Sequence, residues 1–139
     1  MAITVLTNVK VMYNSVDLSD HVESVEVDMT SEDVDITAMG ATSRVHTPGL
    51  RNDKITLNLF QDFAATKVDA TVAPLVGSAA GAVMVVTPVN TTVSSTNPSY
   101  TATVAPFTYK PLNGKVGDAS QTSVEFLCCA GGAIVRATA

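Results

Sequence analysis

His21 stands beside Asp20, the kind of pair in which a carboxylate can orient an imidazole for proton transfer, although such neighbours arise by chance in any domain. His21 and His46 share no metal-ligand spacing with each other or with Cys128 and Cys129. The run Glu32-Asp33-Val34-Asp35 could offer oxygen ligands to calcium. It lacks the spaced acids, the glycine and the bidentate glutamate of an EF-hand loop, and reads instead as a solvated acidic turn. Gly114-Lys115-Val116-Gly117 has part of the look of a phosphate loop, without the upstream glycine or the following Ser/Thr, and reads as a turn. Asn90-Thr91-Thr92 is a formal glycosylation sequon, meaningful only in a secreted chain. These residues support no enzyme, no cofactor and no metal.

The elements that would position them are mostly strands. At 139 residues, 46% apolar and 15% charged, the chain reads as one domain spanning residues 1–139, with a core that needs no disulfide. Val, Thr and Ala dominate and Trp is absent, a composition suited to strands. The organising stretch is Val22 to Asp62. Val25, Val27 and Met29 alternate with Glu26 and Asp28, and Ile55, Leu57 and Leu59 alternate with Thr56 and Asn58. That period of two places each apolar set on one face of a sheet. Between the two strands lie about two dozen residues with no long periodic run, and so long a connection inside a domain is commonly functional.

Elsewhere, Val9–Tyr13 and Val16–Leu18 form a hairpin across Asn14-Ser15. Pro48-Gly49 marks a turn within the excursion. Thr66-Lys67-Val68-Asp69 has the form of a capping box opening a helix from Lys67 to Val76, with Val68, Val72, Leu75 and Val76 as its buried stripe and Pro74 kinking or ending it near Ala73. Strands follow at Ala82–Thr87, at Tyr100 up to Pro106, around Val124, Phe126 and Cys128, and at Ala133–Ala137 after a Gly131-Gly132 bend. Asn113-Gly114 reads as a turn with positive φ. The total is seven or eight strands and one short flanking helix: a mainly β fold, either a β-sandwich or a partly closed barrel, with a long inter-strand loop.

Charge is uneven. Met1–Asp35 holds eight acids and one base, whereas the remainder holds seven bases and five acids, for a net −5. Arg44, Arg51 and Lys54 sit with His46 on or beside the excursion. Solvated faces are one reading. Complementary surfaces between copies are the other. Nothing here is the basic footprint of a nucleic-acid binder. The opening residues lack a secretory leader, and the apolar run Ala79–Val86 is too short to span a bilayer. Cys128 and Cys129, as strand neighbours, point to opposite faces and suit reduced thiols, at least one buried, in a chain made inside a cell.

Asp17-Leu18-Ser19-Asp20-His21-Val22, Val34-Asp35-Ile36-Thr37-Ala38-Met39-Gly40, Pro48-Gly49-Leu50-Arg51, Phe60-Gln61-Asp62 and the late Asn-Gly-Lys-Val-Gly-Asp run occur in an order that resembles the tail tube (major tail) proteins of long-tailed bacteriophages. The resemblance runs from about Val9 to Arg136. It implies the phage tail-tube fold, without an added outer Ig-like domain, and copies assembled as hexameric rings stacked into a hollow tube. Inner sheets would join into one barrel, the long loop would reach the adjoining subunit or ring, and DNA would pass down the lumen. Other tail proteins (tape measure, terminator, tail tip) would be partners, with no membrane partner, and the chain would reside in the virion after synthesis and assembly in the bacterial host cytoplasm. The inner tube of type VI secretion systems shares that fold but fits these loop residues less well. On this footing Arg44, His46, Arg51 and Lys54 are expected to meet Glu32, Asp33 and Asp35 of another subunit. Glu26 and Asp28, opposite the core face of their strand, are expected to face the lumen. The alternatives are a monomeric Ig-like sandwich that decorates a virion or binds carbohydrate, and a hydrolase with an unrecognised site.

Overall fold

The computed structural model describes residues 3–129 and 132–139. Asn14 and Ser15 both take positive φ (52° and 65°), which closes the tight hairpin between β1 (Lys10–Tyr13) and β2 (Val16–Asp17). A 3₁₀ turn, Ser19–His21, leads into β3 (Val22–Asp28). Then come β4 (Ser31–Asp35), β5 (His46–Arg51) and β6 (Lys54–Phe60), followed by α1 (Val68–Val72). The chain closes with β7 (Ala82–Thr87), β8 (Ser99–Thr108), β9 (Gln121–Cys128) and β10 (Val135–Ala137).

Eight strands form one antiparallel sheet in the order β2-β1-β7-β8-β9-β6-β3, with β10 on β8. The order leaves β2 and β3 as open margins. A flat sheet would hold β1 and β9 about 14 Å apart, three strand spacings. Yet the Tyr13 and Phe126 rings meet edge to face at 4.9 Å between centroids, and Tyr13 O–H donates to the Val104 carbonyl at 3.0 Å. The sheet therefore curls over its own concave face, sandwich-fashion, without closing. Val11, Leu18, Ile55, Leu57, Leu59, Met84, Val124 and Phe126 fill that face with no exposure. Burial pushes the Tyr13 hydroxyl up to about 12.

Several sequence expectations change. The excursion is not a loop: β4 and β5 pair into a separate two-stranded hairpin arm. Pro48-Gly49 lies inside β5, where the register slips between Ser31 and Asp33 as in a bulge. An outermost strand with a bulge tolerates a proline, since no neighbour needs its missing N–H. β8, an interior strand, likewise does not stop at Pro106 but runs to Thr108, with its irregularity there. Its pairing with β7 ends at Val104, so Pro106 has a neighbour on the β9 side alone. The capping box does not form, because Thr66 takes φ 61° and Lys67 sits at the helix N-cap. The helix ends at Val72, and Ala73–Leu75 continue as a 3₁₀ turn around Pro74. Val76 is exposed rather than part of the stripe, as is Met29 just beyond β3. Positive φ falls on Gly117 (95°) and not on Asn113-Gly114, because the turn is at Lys115–Asp118. Gly131 lies outside the described residues. Cys128 and Cys129 are free thiols, each half-buried rather than one fully enclosed.

Candidate assembly interface

The arm is rooted by one residue. Asp53 is buried and accepts hydrogen bonds from Thr30 N–H (3.0 Å), Ile134 N–H (2.9 Å) and the Arg51 guanidinium (Nε 3.1 Å, Nη2 2.5 Å). Desolvation opposes its charge, but these donors together outweigh it and hold the carboxyl below its ordinary range. Asn52 N–H also donates to Thr30 O at 2.7 Å, closing the base of the hairpin. Beyond the root, Asp35 Oδ1 accepts from Thr37 N–H and Oγ1, and Ile36 N–H donates to Val45 O, so the ladder runs past the strand ends. Those Thr37 bonds lower the Asp35 carboxyl.

All five β4 residues are exposed, and the arm encloses no core of its own. Val34, Ile36, Met39, Val45 and Leu50 all lie open to solvent. An isolated two-stranded hairpin is marginal in water. Exposed apolar side chains grouped on such an element mark a contact surface.

Within this one chain Arg44 Nη1 lies 3.4 Å from Asp35 Oδ2 and His46 Nδ1 lies 2.6 Å from Asp33 Oδ1. Arg51 is taken up by Asp53, an acid that the charge pattern did not single out. Glu32 and Lys54 have no ion-pair partner among the described residues.

The second surface is the outward face of β3, β6 and β9. Register partners share a face, giving the rows Ser24–Asn58–Ser123, Glu26–Thr56–Glu125 and Asp28–Lys54–Leu127. Val25 and Val27 pair with Leu57 and Ile55 on the opposite, core-facing side. Glu26 and Asp28 thus join Glu125 on a largely polar sheet face, where Asn58 Nδ2 donates to Ser24 Oγ at 2.6 Å. Glu125 escaped the sequence reading, although its place between Val124 and Phe126 carries the same alternation signal.

His21 has a different setting. Its ring nitrogens lie 2.7 Å from Asp20 Oδ1 and 2.8 Å from Asp62 Oδ2, which ties the start of β3 to the end of β6. With carboxylates on both nitrogens the ring is a cross-tie. Among the described residues no group of three or more His, Cys, Asp or Glu could hold a metal, and no helix is long and apolar enough to cross a membrane.

No protein-family model matches the chain, and no curated protein matches it in sequence. Solved structures do match it in fold. A chain from the cryo-EM structure of an extracellular contractile injection system, the PVC sheath/tube terminator in its extended state, superposes with TM-score 0.71 at 11% identity, covering 98% of this chain and 97% of that one. The fold is a tail-tube fold. A chain of the native gene transfer agent virion gives TM-score 0.71 at 10% identity over 92% of this chain and 95% of that one. The anti-feeding prophage cap, described as a tube-terminating cap, gives 0.69 at 10% over 100% and 93%. At such identities the tail-tube likeness is one of architecture, spanning nearly the whole of each chain.

Proposed function

We propose that this chain is a structural subunit of a phage-type tail, whose copies assemble through their arms into stacked rings forming a hollow tube. The observation that carries this reading is the arm, an exposed hairpin with apolar side chains and no core, on a fold shared with tube and tube-terminating assemblies. The open margins at β2 and β3 fit it too, because joining sheets between copies covers edges that would otherwise aggregate. Six copies per ring, passage of DNA, and contacts with other tail proteins in the virion complete the proposal. The role is structural rather than catalytic. Arg44, His46, Arg51, Lys54, Glu32, Asp33 and Asp35 are its inter-subunit contact residues, with Glu32 and Lys54 the members left unpaired within one chain.

The outward face of β3, β6 and β9 is assigned to the lumen. Glu26, Asp28 and Glu125 there outnumber Lys54, the one base of these rows, which stands at the arm-root end of the face. The three acids would repel DNA phosphates, where a basic lining would hold them in tight, salt-dependent contact. Electron microscopy of the purified chain tests the assembly: rings or tubes are expected. A chain in which Thr30 is joined to Asn52 through an Asn-Gly turn should keep its fold and lose assembly. Uniform monomers from the intact chain, or unchanged tubes from the arm-shortened one, would refute the proposal.

A further inference from the structure

The arm and the loop between β8 and β9 leave the body at opposite ends of β6. The arm is rooted beside Asp28 and Lys54, a register pair. The loop closes on the other end, where Gln61 N–H donates to Ser120 O at 2.9 Å and Gln61 Nε2 donates to Pro111 O at 2.8 Å. Six residue steps from Lys54 to Phe60 separate the two by about 20 Å. Their roots are thus held a full strand length apart within one chain.

Their chemistry is complementary. Alternation along β4 puts Glu32, Val34 and Ile36 on one face, and Asp33 and Asp35, which engage His46 and Arg44, on the other. The first face is therefore acidic and apolar, with Glu32 unpaired. The loop carries exposed Lys110 and Lys115 with no ion-pair partner among the described residues, and Leu112 and Val116 are 82% and 107% exposed. Asp118 is its one acid, leaving the loop net positive. Opposite charge, matching apolar groups and placement at opposite ends together describe a heterologous contact, the kind that propagates from copy to copy.

We infer that the Glu32–Val34–Ile36 face of one copy's arm docks on the Lys110–Val116 loop of the next copy. Glu32 lies against the lysines and Val34 and Ile36 lie against Leu112 and Val116. This rests on the self-assembly proposed above and adds a direction to it, since every copy offers an arm at one end and a receptor at the other.

The test measures the critical concentration for assembly by sedimentation, with thermal unfolding as the check on fold. Reversing both lysines (Lys110→Glu with Lys115→Glu) should raise it by about tenfold, the change expected when exposed ion pairs become repulsions. Glu32→Lys alone should raise it as well, and the combined variant should return toward wild type. Wild-type assembly by the loop-reversed chain, or no recovery in the combined variant, overturns the docking while self-assembly stands, provided that the arm-shortened chain stays monomeric. If the arm-shortened chain assembles normally, or the intact chain never assembles, both readings fall.

Discussion

Asp53 is surrounded by donors from three parts of the chain, and its carboxyl is held below the ordinary range by them despite burial. A carboxylate depressed in the folded state adds stability above its unfolded pKa, and that stability is lost as pH falls through the lower folded value. Acid unfolding should therefore include a component that disappears in Asp53→Ala. That variant also leaves the Ile134 N–H without its acceptor and should cost about 2–3 kcal/mol at neutral pH by urea denaturation. Tyr13 and Tyr109 give the opposite sign. Burial, joined at Tyr109 by the bond to Asp69, pushes both up to about 12 from 10.0. Their contribution is complete below pH 10 and lost as pH rises toward 12. A fall in melting temperature over that window checks it, and Tyr13→Phe should blunt the fall.

Among the elements, the arm and the β7 entrance make opposite demands. Gly81 takes φ 63°, and a Cβ there would collide with Cys129 Sγ and the Val104 carbonyl. The backbone in contact cannot yield as a side-chain tip would, so Gly81→Ala should cost about 2–4 kcal/mol in chemical denaturation, through strain at the start of β7. The arm, with no buried side chain between its root and its tip, contributes little to the body it leaves. Reversing Arg51 is less clean than shortening the arm. Arg51→Glu would set a second carboxylate against Asp53 and loosen the root whatever contacts the arm makes outside.

For the whole molecule, the curled sheet separates an apolar concave face from a polar outward one carrying Glu26, Asp28 and Glu125. Under the tube proposal the outward face meets the conduit. Converting Glu26 and Asp28 to Lys should leave assembly intact and slow DNA release from particles, more so at low salt. Release timed as in wild type would count against the lumen assignment. The head-to-tail docking of arm and loop belongs to this scale as well, because it needs two ends of one body to bear different chemistry.

Local pattern determined much of this. Alternation identified the acidic β3 and the buried face of β6, because the two-residue period of a strand is written directly into residue type, and the bounds of β7 at Ala82–Thr87 were legible as well. Asn14-Ser15 announced its hairpin by the same local chemistry. Glu26 and Asp28 were placed opposite the core by that period alone, and it would have placed Glu125 too. Tertiary structure decided what local pattern does not encode. Pro48-Gly49 reads as a turn until β5 proves to be an outermost strand with a bulge, where a proline costs no ladder bond. The excursion reads as a loop because its two strands bury nothing and so carry no hydrophobic period. Asp53 looks like one more surface acid until Thr30 and Ile134, 23 and 81 residues away, converge on it. Which charges pair, and which are left for a neighbour, depends on distances through space, and only the folded chain fixes those.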